Sequence, residues 1–181
     1  MAMTKRHLMA GLLIMMGLAG ASRPAVAAGA DAPAMPHVRS SNATIAALII
    51  QATEQSQTFR GLIETINASD GIVYVEEGTC GHGVRACFVS VTTAGANRML
   101  WVKVDTRKAD WDLMGSIAHE LRHTIEVLGE RTIATNAGMF MFYSRIGSVV
   151  RGNRFETKAA LDTGSAVRAE VKNHRKSAEA N

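Results

Sequence analysis

Beyond residue 28 the 181-residue chain has no apolar run long enough to cross a bilayer, so a mature form should be soluble. No repeat and no low-complexity core segment occurs, and the length suits one domain with a real core better than two. No glycine-rich loop follows a strand pattern, which removes phosphate or nucleotide binding from consideration. Cysteine is scarce: two residues, Cys80 and Cys87, stand in one glycine-rich stretch. Acid is missing altogether from residues 1–27, while Lys5, Arg6 and Arg23 are all there.

That charge asymmetry marks the first segment. A basic start is followed by an uncharged apolar run over residues 8–21, then Arg23-Pro24, then Ala25-Val26-Ala27-Ala28. This is the order of a secretory signal, with cleavage after Ala27 or Ala28. The run is shorter than the roughly 20 residues of a membrane anchor. Losing its three cations lowers the formal net charge from +4 to +1. The basic pI therefore does not point to nucleic acid as a partner. The chain is expected to be exported, to the periplasm or beyond, with no membrane association after signal cleavage.

An even cysteine count in an exported chain favours a Cys80–Cys87 disulfide, and the intervening glycines can turn the chain back on itself. A metal clip of Cys80, His82 and Cys87 is the competing reading; His82 is taken as a loop residue.

Residues 28–40 are rich in alanine, glycine and proline and read as a disordered leader. Ser40-Ser41-Asn42 offers helix caps before an Ile45, Leu48, Ile49, Ala52 stripe. A second helical pattern over residues 58–67 puts Phe59, Leu62, Ile63 and Ile66 on one face. The period then changes to two. Strands are predicted over 72–76, 87–93 and 99–105, and their short connections suggest an antiparallel meander whose first hairpin the disulfide would staple. Asp110 or Asp112 can cap a helix with core stripe Leu113, Ile117, Leu121, Thr124 and Leu128, stopped at Gly129. Another helix starts at Thr132 or Asn136 and ends near Gly147. A basic loop over 151–154 leads to a last helix over 155–173. The class is α+β: N-terminal helices, a small antiparallel three-stranded sheet, then a helical half, with one domain over 41–175 and a flexible tail over 176–181.

The chemistry lies in His119-Glu120-Leu121-Arg122-His123. Residues four apart on a helix sit about 6 Å apart along the axis, so His119 and His123 can aim two imidazole nitrogens at one Zn²⁺ ion. Glu120, about 100° around the axis, can stand beside that ion as a base for its water. Both histidines fall away from the core stripe, toward a cleft or covering layer. Two exposed histidines on a solvated face are the bland alternative. Glu126, one turn after His123, suits a hydrogen bond to an imidazole N–H better than ligation.

Residues 116–125, Ser-Ile-Ala-His-Glu-Leu-Arg-His-Thr-Ile, resemble the extended motif of zincin metallopeptidases. One position departs from that pattern. Arg122 stands where the family usually has an uncharged residue; it can pair with Glu126 or meet a substrate carboxylate. No His-x-x-Gly-x-x-His continuation exists, so the resemblance implies a third ligand from a following helix, as in gluzincins. Glu156, in Phe155-Glu156-Thr157-Lys158-Ala159-Ala160, is the leading candidate, with Glu126, Asp162 and His174 as alternatives. The block 70–168 also resembles small exported bacterial proteins that share the His-Glu-Leu-x-His helix and a Phe-Glu-Thr-x-Ala-Ala segment.

The resemblance implies a zinc-dependent hydrolase, most readily a peptidase, with a peptide or protein substrate laid along a sheet edge. The alternative is a non-catalytic exported zinc-binding or interaction protein on the same fold. Tyr143, Arg145, Arg168 and His174 are possible oxyanion donors, none singled out by pattern.

Overall fold

Arg98, Leu100, Val102 and Val104 alternate with Met99, Trp101 and Lys103, and that alternation becomes the one fully buried face of the central strand. The computed structural model describes residues 35–81, 83–150 and 154–180. The expected signal segment 1–27, positions 28–34 of the expected leader, His82 and loop residues 151–153 lie outside the described residues.

The order is β1 (Val38–Arg39), α1 (Ala43–Gln55), α2 (Gln57–Asn67), β2 (Gly71–Glu77), β3 (Ala86–Ala94), β4 (Asn97–Val104), α3 (Trp111–Gly129), α4 (Asn136–Ile146), β5 (Ser148–Val150), β6 (Arg154–Glu156) and α5 (Lys158–Glu179). The class is α+β. Asn42 caps α1 through its side-chain oxygen, and the predicted Ile45, Leu48, Ile49 and Ala52 stripe is buried. Phe59, Leu62 and Ile66 of α2 join the same core.

The sheet corrects the expected meander. Its order is β1-β2-β4-β3, with β1 and β4 parallel to β2 and only β3 antiparallel to its neighbour β4. After β2 the chain passes across the end of β4 and enters β3 on the far side. Gly78 N–H bonds Val104 O at 2.9 Å on the way, and Asp105 N–H bonds Arg85 O at 2.8 Å on the return. Skipping one strand needs about 10 Å, which three or four extended residues cover, so a short connection does not dictate adjacency. The disulfide is present, Cα–Cα 5.8 Å. It closes this crossing loop onto the start of β3 rather than stapling a β2–β3 hairpin.

Two further expectations change at the ends. Val38–Arg39, placed in a disordered leader, form β1 against β2, and Val38 is buried. The last helix extends to Glu179, well into the expected flexible tail. It also begins later than expected. Phe155 and Glu156 belong to the β5–β6 hairpin, paired Val149 with Phe155 and Ser148 with Glu156. Thr157 is the cap, its Oγ1 accepting from Ala160 N–H at 3.1 Å.

Helix α3 is held from two sides. Gly115 meets Gly164 of α5 so closely that a Cβ on Gly115 would stand 2.9 Å from Gly164 O, and one on Gly164 3.0 Å from Gly115 O. At its C-terminus the buried Arg98 guanidinium acts as the cap. Nη1 donates to Val127 O (3.0 Å) and Glu130 O (2.9 Å), which also accept from Glu130 and Ile133 N–H, and Nη2 donates to Leu128 O (2.8 Å) at the helix end. Asp70 takes the remaining donors at 2.9 and 2.7 Å.

Arg98→Met is expected to cost about 3 kcal/mol in urea unfolding, since it removes the guanidinium's bonds to Leu128 O and Asp70 and its share of those at Val127 O and Glu130 O, and Arg98→Lys should restore little of it. The Asp70 contribution has a definite pH window. Its hydrogen bonds to Arg98 hold its carboxyl below the usual value. The contribution is therefore complete above about pH 4 and is lost as acid carries the pH down through the lowered value. The urea midpoints of wild type and Asp70→Asn should converge over that acid range.

Candidate metal centre

The residues of α3 that face the cleft recur at helical spacing: Asp112, Ser116, His119, Glu120 and His123. Asp110 caps the helix through Leu113 N–H at 3.1 Å, which settles the choice between Asp110 and Asp112. Burial surrounds the helix, so His123 and Glu120 are themselves buried and the solvated-face alternative does not apply.

Glu156 reaches this face from the end of the β5–β6 hairpin. Its Oε2 lies 2.9 Å from His119 Nε2 and 3.8 Å from His123 Nε2, and the ligand atoms of all three residues lie within 4.8 Å of one another. Glu156 Oε2 is buried without an aligned hydrogen bond. A buried carboxylate oxygen converging with two imidazole nitrogens is a donor set for a cation. His119, His123 and Glu156 could together hold a metal ion.

Glu126 sets the orientation of this group. Its Oε2 is 2.9 Å from His123 Nδ1, and its Oε1 accepts from Thr157 Oγ1 at 2.7 Å. With Nδ1–H directed to Glu126, a metal ion that displaces the Nε2 proton would find that nitrogen's lone pair aimed at the cluster. Tyr143 closes the arrangement from α4, donating to His123 O at 2.8 Å with its ring edge-on to the imidazole. Its hydroxyl is also 3.3 Å from Glu126 Oε2.

Burial disfavours charge on these groups, and their partners decide the outcome. His123 is pushed down by burial, but Glu126 and Glu156 outweigh this and hold it up at about 9. For Glu156, burial acts upward and the two imidazoles prevail, holding it at about 2. Glu120 goes the other way: deep burial raises its carboxyl above the usual range, against the pull of His119 and His123. Burial likewise raises the Tyr143 phenol.

Glu120 has one fixed partner, the Phe88 N–H of β3, which donates to Oε2 at 2.7 Å. Nothing in the side-chain pattern indicates this bond, because it depends on which sheet edge lies beside α3. The cleft between β3, α3, α4 and α5 has a volume of about 560 Å³ and reaches His119, Glu120, His123 and Glu156.

The other candidates fall outside the group. Asp162 is exposed and pairs with Lys158. His174 and Arg145 are exposed and do not line the cleft. Arg122 Nε is 3.8 Å from Glu126 Oε1 and makes no hydrogen bond, so the expected helix pair is a loose one. Cys80 and Cys87 are consumed by their disulfide, which removes the metal-clip reading. Arg168 does line the cleft.

No family model, curated protein or solved structure matches this chain.

Alanine at His119, His123 or Glu156 should abolish stoichiometric retention of a divalent metal, whereas Asp162→Ala and His174→Ala should retain it. Glu126→Ala is expected to weaken affinity about 10- to 100-fold, read by competition with a chromophoric chelator. Unchanged affinity would show that the imidazole needs no carboxylate behind it.

Proposed function

We propose that this chain is an exported zinc-dependent hydrolase of the zincin type, acting on peptides. The observation that carries the reading is the placement of Glu120, buried beside a His119–His123–Glu156 cluster that opens to a cleft. Two imidazoles and one carboxylate suit Zn²⁺ and are the usual protein share of a catalytic site, which keeps one position open. Among the described residues the metal-capable group has those three members, which favours an open site over a closed structural one. Bound there, zinc would supply Lewis acidity toward a carbonyl and toward water.

The chain's own residues have separable tasks in this reading. Glu120 takes a proton from the attacking water and returns it to the leaving amine. Burial raises its carboxyl above the ordinary carboxylate range, the direction in which a general acid–base group is tuned. The Phe88 N–H fixes Oε2, leaving Oε1 directed into the group, 3.9 Å from His119 Nε2. Tyr143 is committed to His123 O and Glu126, so it serves the scaffold better than an oxyanion.

Substrate would lie along β3, the edge strand whose first residues, Ala86 to Phe88, line the cleft together with Val84 and Arg85 before it. Arg85 O is turned inward to Asp105 N–H, so strand alternation turns the N–H and C=O of Ala86 and the C=O of Phe88 toward the cleft, the Phe88 N–H being held by Glu120. Farther along, Val91 N–H is taken by Asn136 Oδ1 at 2.8 Å, which limits the free edge. The Cys80–Cys87 bridge supports residence in an oxidising compartment. No helix among the described residues is long and apolar enough to cross a membrane.

The test compares zinc-loaded wild type with Glu120→Ala on a fluorogenic peptide library. The variant is expected to keep its zinc and lose about 10²- to 10⁴-fold in turnover. Full turnover in Glu120→Ala would remove the base. Zinc-loaded wild type no faster than its chelator-treated form would favour the non-catalytic zinc-binding alternative.

A further inference from the structure

The cleft differs in character along its length. Beside His123 it is walled by Met139, Phe140, Phe155 and Leu161, of which Phe140 and Leu161 are more than half exposed. Toward the start of α3 the walls are polar. Arg85 approaches from the β3 side and Arg168 from α5, and both meet Asp112: Arg168 Nε to Oδ1 at 2.7 Å, Arg85 Nη1 to Oδ2 at 3.1 Å. Arg168 Nη2 also donates to Ser116 Oγ at 3.1 Å.

This cluster is not neutral. Arg85, Arg168 and Lys108 are paired with two carboxylates, Asp110 and Asp112, which leaves an excess of one positive charge. Arg168 Nη1 makes no hydrogen bond among the described residues. It lies over Gly164, where a Cβ would stand 3.1 Å away, so the missing side chain leaves the guanidinium its space. Ser116, which Arg168 touches, precedes His119 by three residues, about 4.5 Å along the helix. A group bound at Arg168 is thus a residue or two from the metal-ligand cluster, given about 3.3 Å per extended residue.

We infer that Arg168 binds a substrate carboxylate, so that the preferred peptide carries a carboxylate within two residues of the scissile bond and a bulky apolar side chain on the opposite side, toward α4. This rests on the hydrolase reading above and names its substrate class. The carboxylate can belong to an acidic side chain or to the end of the peptide; both present the same oxygens to a planar fork. Asp112 is a positioning residue here, since it holds Nε and leaves Nη1 without a hydrogen bond among the described residues.

The test measures binding to the zinc-loaded full chain by titration calorimetry. The probes are three peptide hydroxamates of one core sequence: one ending in a free carboxylate, one in a carboxamide, and one in a carboxamide with a glutamate side chain at the same distance. The readout is each acid's affinity relative to the neutral carboxamide. At least one acid should bind about tenfold tighter than the neutral probe, and which of them does so identifies the source of the carboxylate. The ratio should fall toward one in 1 M salt and in Arg168→Gln, and should rise in Asp112→Asn, which removes a neutralising charge and keeps an acceptor for Nε. Hydroxamates that all bind equally to wild type overturn the inference and leave the hydrolase reading standing. A ratio unchanged in Arg168→Gln overturns it too. If that variant fails to fold, an unchanged ratio in Asp112→Asn has the same force. Failure of every hydroxamate to bind a chain that retains zinc overturns the accessible site itself, and the inference with it.

Discussion

Everything at the candidate metal centre depends on one carboxylate that does not itself face the cluster. Glu126 bonds His123 Nδ1 with one oxygen and Thr157 Oγ1 with the other. Thr157 caps α5 and directly follows Glu156. A single side chain thus sets the tautomer of one donor and the position of another, thirty residues farther along the chain. The Tyr143 hydroxyl adds α4 to the same knot. A half-buried carboxylate would be costly to leave unpaired, and here each oxygen has a partner.

The helix bearing these residues is correspondingly immobilised. Arg98 reaches across from the central strand to its final carbonyls, and the Gly115–Gly164 contact brings α5 against its length. Arg98 is the charged residue most deeply placed in the sheet, yet its donors are met by carbonyls and by Asp70, so its burial stabilises the fold. The Phe88 bond to Glu120 ties the edge strand to the same helix. Strand, helices and hairpin converge on one cleft, and none of these connections lies within a single element.

Charge in that cleft is unevenly distributed. Acidic groups gather around the two histidines, where a cation would balance them, and Arg85 and Arg168 lie beyond, outnumbering their two carboxylate partners only together with Lys108. Aromatic and aliphatic side chains occupy the α4 side. This separation is what gives the cleft a direction.

The local periods of the sequence determined α1 to α4, three strands and the α3 face on which His119, Glu120 and His123 meet, because a helix or strand pattern is written in neighbouring residues. Glu126 as a partner for an imidazole was legible for the same reason, being one turn from His123. The parallel pairing of β2 with β4 was not, since a crossing loop and a hairpin loop can have the same length. Glu156 was found as a candidate but placed in a helix, because a three-residue strand before a threonine cap carries too few residues to show a period. The Phe88–Glu120 bond, the Arg98 cap and the Arg85–Asp112–Arg168 cluster were invisible. Each joins residues more than twenty positions apart, and such partners are chosen by packing in three dimensions. The sequence by itself determined which helix carries the His119–His123 pair; tertiary structure decided what stands opposite it, because only the folded chain brings distant elements to one cleft.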